Sequence, residues 1–244
     1  MDETGQGKPD KQYSVFIAGA SGSIGRACAI RLAGPGNVLL LHGGHDAEKL
    51  EEVALVCRER GAEVHTFVLA YQSTVQFLSS IPETYNPDIV IVCFGPWLRG
   101  NLASMRTEDW VYLCDANLAL PGAIVSRFGP GMAKRGFGRM VLFGASTSDR
   151  IQPYKTIAAY AAAKTGLGVI AKSAAREWGG NGVSVNVVCP GYVEGSSGLL
   201  RQDLDKMPGG KLQNADDIAV IVEFLCKGET IALNGAIVNS GAGL

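Results

Sequence analysis

Histidine is scarce in this chain, and its scarcity excludes a good deal. Only His42, His45 and His65 occur, none in a spacing that binds metal, so metal chemistry is not expected. The six cysteines (Cys28, Cys57, Cys93, Cys114, Cys189 and Cys226) form no C-x-x-C pair and fall mostly inside apolar segments. They read as small buried residues of a reduced, cytoplasmic protein, not as disulfides or metal ligands. An excess of one charge is also missing. With 22 basic and 23 acidic residues the net charge is -1, so neither nucleic acid nor an anionic membrane is an expected partner. No apolar run is long enough to span a bilayer. Met1 to Lys11 is polar and Gly-rich without an apolar core; residues 1–11 are expected to be a disordered lead-in, not a signal peptide.

What is present is material for a large core: 244 residues, 47% hydrophobic and 18% charged. Short apolar runs alternate with amphipathic ones. Strands are expected at Tyr13–Ala18, Asn37–Leu41, Glu63–Leu69, Asp88–Phe94, Arg139–Phe143, Val183–Val188 and Ala236–Val238. Helices are expected from Arg26, over Asp46–Arg60, Thr74–Ile81 and Thr107–Phe128, from Tyr160 to Trp178, and over Asp216–Leu225. Unbroken alternation, with no linker or repeat, argues for one α/β domain over 12–244. Its architecture would be a Rossmann-like doubly wound parallel sheet of about seven strands, with helices on both faces.

Sites in such sheets lie at the carboxyl ends of the strands. The first strand ends in Gly19-Ala20-Ser21-Gly22-Ser23-Ile24-Gly25, followed by a helix. Strand, glycine-rich turn and helix make a place for a dinucleotide pyrophosphate, because the backbone can approach closely and free N–H groups face the anion. Gly43-Gly44-His45, Gly95-Pro96, Gly144-Ala145-Ser146 and Pro190-Gly191 occupy four further strand ends. A flat ligand could lie along them. Tyr160 and Lys164 stand one helical turn apart across three alanines. An ammonium so placed favours the phenolate and should lower the tyrosine pKa toward the working range, as proton transfer to a carbonyl oxygen requires.

The glycine-rich turn, Asn117, Tyr160-Ala161-Ala162-Ala163-Lys164, Cys189-Pro190-Gly191-Tyr192-Val193 and Asp216-Asp217-Ile218-Ala219 follow in an order that resembles the short-chain dehydrogenase/reductase family from Tyr13 to Gly243. The likeness is strongest to the beta-ketoacyl-carrier-protein reductase type. The resemblance implies that Tyr160 is the general acid, with Lys164 its pKa partner and a ribose ligand. It implies that Asn117 holds a water linking Lys164 to solvent. Gly19, Ser21, Ser23, Ile24, Gly25, Gly43, Gly44, His45 and Gly95 would bind cofactor. Pro190, Gly191 and Val193 would line its nicotinamide side. The oxyanion-orienting hydroxyl falls on Thr147 by counting back from the tyrosine and on Ala145 by aligning the strand; Ser146 is favoured, with Thr147 and Ser148 as rivals. Three positions and one segment depart from the family pattern: Ala18, Ser23, Val68 where an adenine-capping aspartate is usual, and Val92-Cys93-Phe94-Gly95.

NAD-specific relatives carry an acidic residue at the end of strand two; here Gly43 stands there. NADP(H) is therefore expected over NAD(H), with Arg26 or His45 near the 2′-phosphate. Pocket residues should come from Pro96–Leu102, Asp149–Thr156 and a Glu194–Met207 lid. Trp97, Leu98, Ile151, Tyr154, Tyr192 and Leu199 make the wall largely apolar; Arg99, Arg150, Lys155 and Arg201 are its cations. The implied protein is an NADP(H)-dependent oxidoreductase interconverting a small-molecule carbonyl and an alcohol, assembled as a homotetramer or homodimer. The alternative is a catalytically silent NADP(H)-binding sensor or scaffold.

Overall fold

The computed structural model describes residues 12–195, 211–227 and 232–240. The expected lead-in over residues 1–11 and the lid beyond Gly195, with Leu199 and Arg201, lie outside the described residues. Seven strands form one sheet: β1 (Ser14–Ala18), β2 (Val38–Gly43), β3 (Glu63–Val68), β4 (Ile89–Val92), β5 (Gly138–Phe143), β6 (Val183–Cys189) and β7 (Ile237–Asn239). Every pairing is parallel and the order is β3-β2-β1-β4-β5-β6-β7. Between β1 and β4 the winding reverses, which leaves a crevice at their carboxyl ends.

The helices are α1 (Ser23–Leu32), α2 (Ala47–Glu59), α3 (Thr74–Ser79), α4 (Thr107–Cys114), α5 (Leu120–Arg135), α6 (Ala158–Trp178) and α7 (Ala215–Cys226). Side chains alternate across each strand, so the sheet has a core on either face. Val15, Ile17, Leu39, Leu41, Ile89 and Ile91 pack with α1, α2 and α7. Phe16, Val90, Val92, Met140, Leu142 and Val185 pack with α3, α5 and α6. The central strands are buried on both sides, which is why they read as continuous apolar runs.

Three differences from the sequence expectation have a plain physical cause. β2 runs to Gly43, past the apolar stretch ending at Leu41, because His42 is wholly buried as part of the strand. β4 stops at Val92, because the next two amides, Cys93 and Phe94, both turn to the Ala18 carbonyl at 2.9 and 3.0 Å. The expected helix Thr107–Phe128 is α4 and α5 joined by a wide π-type turn over Asp115–Ala119. Such turns insert one residue into a helix and recur at functional sites.

Candidate active site

The glycine-rich turn is built so tightly that two positions admit no side chain. Gly19 has φ +88°, and a Cβ on it would lie 2.8 Å from Phe94 N. A Cβ on Gly25 would lie 2.1 Å from the Gly19 carbonyl oxygen. The start of α1, at Ser23, is thus pressed against the turn. No side chain caps it from Gly22, so among the described residues the first amides, including those of Ile24 and Gly25, are free to meet an anion. Ser21 Oγ lies toward the end of β2, 3.3 Å from where a Gly43 Cβ would stand, and Leu50 Cδ2 is 3.1 Å from the same point. An acidic side chain at position 43 is absent and would also be crowded. Gly44, with open space around it, and exposed His45 follow at the rim.

Beyond the switch point the groups expected to carry chemistry converge. Lys164 is 4% exposed, and its Nζ donates to the Phe143 carbonyl at the end of β5, at 2.8 Å. The same Nζ stands 5.7 Å from the Tyr160 ring centroid. Asn117 is fully buried in the wide turn, where its Nδ2 donates to Pro96 O at 2.8 Å and to Leu113 O at 3.1 Å. Its Oδ1 is buried with no hydrogen-bond partner among the described residues. Gly95 joins the two: a Cβ there would meet both Asn117 Oδ1 and Lys164 Nζ at 2.7 Å.

The electrostatics correct one expectation. Burial lowers Lys164 from its usual value to about 8, since an ammonium loses hydration there. Burial likewise pushes Tyr160 upward, with nearby Cys189 adding to the rise. The lysine does not bring the phenol down as its spacing suggested. Desolvation wins, and the phenol is held protonated.

The three candidate hydroxyls separate. Ser148 is 3% exposed; its Oγ accepts from the Ala145 amide at 2.9 Å and lies 3.3 Å from Cys189 Sγ. It serves the loop. Thr147 takes φ +64°, strained for a β-branched residue. Its Oγ1 donates to the Ser146 carbonyl at 2.6 Å and meets the Tyr154 hydroxyl at 2.9 Å and Gln152 Nε2. Ser146, half-buried at the strand end, takes part in these bonds only through its carbonyl. After β6, Pro190 and Val193 are buried and Gly191 is half-buried. Gly195 (φ +76°) comes near the glycine turn, a Cβ on it lying 3.6 Å from Ser23 Cβ.

A family model described as enoyl-(acyl carrier protein) reductase matches residues 19–244. The chain belongs to the short-chain dehydrogenase/reductase family. It is 28% identical over 237 residues to the 3-oxoacyl-(acyl-carrier-protein) reductase of Haemophilus influenzae, covering 94% of this chain and 96% of that one. It is 28% identical over 248 residues to a short-chain dehydrogenase/reductase of Armillaria gallica, covering 94% of each. Its fold is shared by the solved NADP-bound 3-oxoacyl (acyl-carrier-protein) reductase of Agrobacterium tumefaciens, with TM-score 0.84, 20% identity and coverage of 95% and 93%.

Sequence reasoning missed three residues in this short-chain dehydrogenase/reductase. Gln213 straps the segment after β6: its Oε1 accepts from Gly191 N at 3.1 Å, and its backbone exchanges bonds with Tyr192 and Glu194. Asp115 accepts from the Tyr71 hydroxyl at 2.5 Å and from Thr74 N at 3.0 Å, fixing the wide turn to the start of α3. His42 lies beneath the glycine turn. Only His42, a polar residue inside an apolar run, left a trace in the sequence.

Proposed function

We propose that this oxidoreductase interconverts a carbonyl and an alcohol with NADP(H), Tyr160 being the general acid and base. The observation that carries this reading is the convergence of Asn117 Oδ1 and Lys164 Nζ on Gly95, with that ammonium beside the Tyr160 ring. The glycine cradle, the uncapped α1 N-terminus and the orphaned Asn117 oxygen suit a bound dinucleotide. Gly19, Ser21, Ser23, Ile24 and Gly25 would take its pyrophosphate, and Gly43, Gly44 and His45 its adenosine end. Gly95, Tyr160 and Lys164 would take the nicotinamide ribose, with Pro190, Gly191 and Val193 along the nicotinamide. The cofactor would supply or accept the hydride.

In reduction, the half-buried Tyr160 gives its hydroxyl proton to the substrate oxygen, which Ser146 Oγ orients. Lys164 stabilises the phenolate left behind, and the proton returns through water held at Asn117 Oδ1. In oxidation the same atoms work in reverse. Crowding at Gly43 supports NADP(H) over NAD(H), since no carboxylate opposes a 2′-phosphate there. The loops after β4 and β5 pair at the mouth, with Gly100 N donating to Thr156 O at 2.8 Å. Leu98, Leu102 and Ile151 are exposed on them, which suits a substrate with an apolar body.

The test is Tyr160→Phe, assayed with NADPH against ketones and acyl thioesters. Turnover should fall by about 10²–10⁴-fold while NADPH titration gives an affinity near that of the parent. Unchanged turnover would remove Tyr160 from the mechanism. Tight cofactor binding without turnover of any substrate by the parent would favour the silent sensor or scaffold.

A further inference from the structure

His42 is a buried polar residue of the sheet that the proposed chemistry does not use. It is fully buried on β2, and both ring nitrogens have fixed partners. Nδ1 lies 3.2 Å from the Gly19 amide, which can only donate. Nε2 lies 3.0 Å from the Leu69 carbonyl, which can only accept. The ring is therefore neutral, with its proton on Nε2. It bolts the first glycine of the turn to the segment that follows β3, the two walls between which the adenosine half of a dinucleotide would lie.

We propose that neutral His42 is a positioning residue for the dinucleotide, and that its protonation loosens the glycine turn and releases cofactor. This rests on the reading that the turn binds a dinucleotide. A proton on Nδ1 would set two donors face to face at Gly19. The Gly19 amide would keep only its bond to the His42 carbonyl, at 3.1 Å. The Leu69 carbonyl on Nε2 favours the added charge, but burial outweighs it. The ring packs on Phe67 of β3, Phe77 of α3 and Phe94 after β4, at centroid distances of 5.1, 4.7 and 6.3 Å. Those contacts hold no titratable group. The next one out is Tyr71, against Phe77 and Phe94, whose hydroxyl is donated to Asp115. Burial also lowers His42 below the usual histidine value, so loosening belongs to pH below about 6.5.

The test is calorimetric titration with NADP⁺ from pH 5 to 7.5, with circular dichroism confirming the fold at each pH. His42→Asn keeps an acceptor near Gly19 but cannot be protonated. The ratio of variant to parent affinity should rise about tenfold from pH 7.5 to 5, a ratio that cancels titration of the 2′-phosphate. The parent's loss of affinity should persist in His45→Asn and be unchanged in His65→Asn. By linkage, NADP⁺ must also lower the His42 pKa. Histidine ¹⁵N resonances of the parent read this without the His42 variant, the other two being assigned through His45→Asn and His65→Asn. An affinity ratio independent of pH, or a His42 pKa unmoved by NADP⁺, overturns the proposal alone. Absence of NADP⁺ binding at every pH overturns it together with the dinucleotide reading.

Discussion

Lys164 holds its charge at a cost. A lysine moved from near 10.5 to about 8 gives up about 3 kcal/mol of folding stability at neutral pH. The penalty is full below pH 8 and disappears as pH rises toward 10.5, because only the ammonium form is disfavoured. Activity should run the other way. For reduction, kcat/KM should be level below pH 8 and fall above it as the ammonium is lost; Lys164→Met should be low and lack that break. Gly95→Ala is a second residue-scale prediction. Its methyl would stand 2.7 Å from both Asn117 Oδ1 and Lys164 Nζ, so kcat should drop about 10²-fold with a smaller change in NADPH affinity. The sequence made the pairing of Tyr160 and Lys164 legible, since helical spacing sets it. It could not show the direction of the Tyr160 shift, which depends on burial by distant parts of the chain. Nor could it separate Ser146 from Thr147 and Ser148, whose hydrogen bonds follow from one left-handed residue and from partners at Gln152, Tyr154 and Cys189.

Among the elements, legibility followed periodicity. The apolar runs located all seven strands, with most ends displaced by a residue; the larger differences came where a polar residue was buried, as at His42, or where backbone bonds bent the chain, as at Cys93. Ser73 Oγ accepts from Gln76 N at 3.2 Å and starts α3. Ser73→Ala should cost about 1 kcal/mol and lower the midpoint of thermal unfolding by about 2–4 °C. Because α3 also meets the wide turn through Thr74 and Asp115, the same variant should speed amide exchange around Asn117. The π-type turn had no legible signal, since its single extra residue hides inside an otherwise helical pattern.

For the whole molecule, alternation of strand and helix sufficed to read the layered sheet, and the order β3-β2-β1-β4 then fixes the crevice. Assembly is a matter of surface. Val111 on α4 and Val169 on α6 are 63% and 69% exposed, an apolar surface that suits the expected pairing of copies of the chain. Light scattering should give two or four times the 25.6 kDa of one chain, and Val169→Glu should lower that mass. The wide turn between α4 and α5 has a last consequence, for changes in chain length. One residue removed from an ordinary helix rotates everything beyond it by about 100°, so deleting Val125 would turn Phe128 and Met132 out of the core. Deleting Ala119 instead would let α4 and α5 merge into one regular helix. Leu120, Ile124 and Phe128 would keep their face, and only Asn117 would lose its grip on Pro96 and Leu113. Shortening the chain there should keep the fold and, on the proposed role of Asn117, abolish turnover.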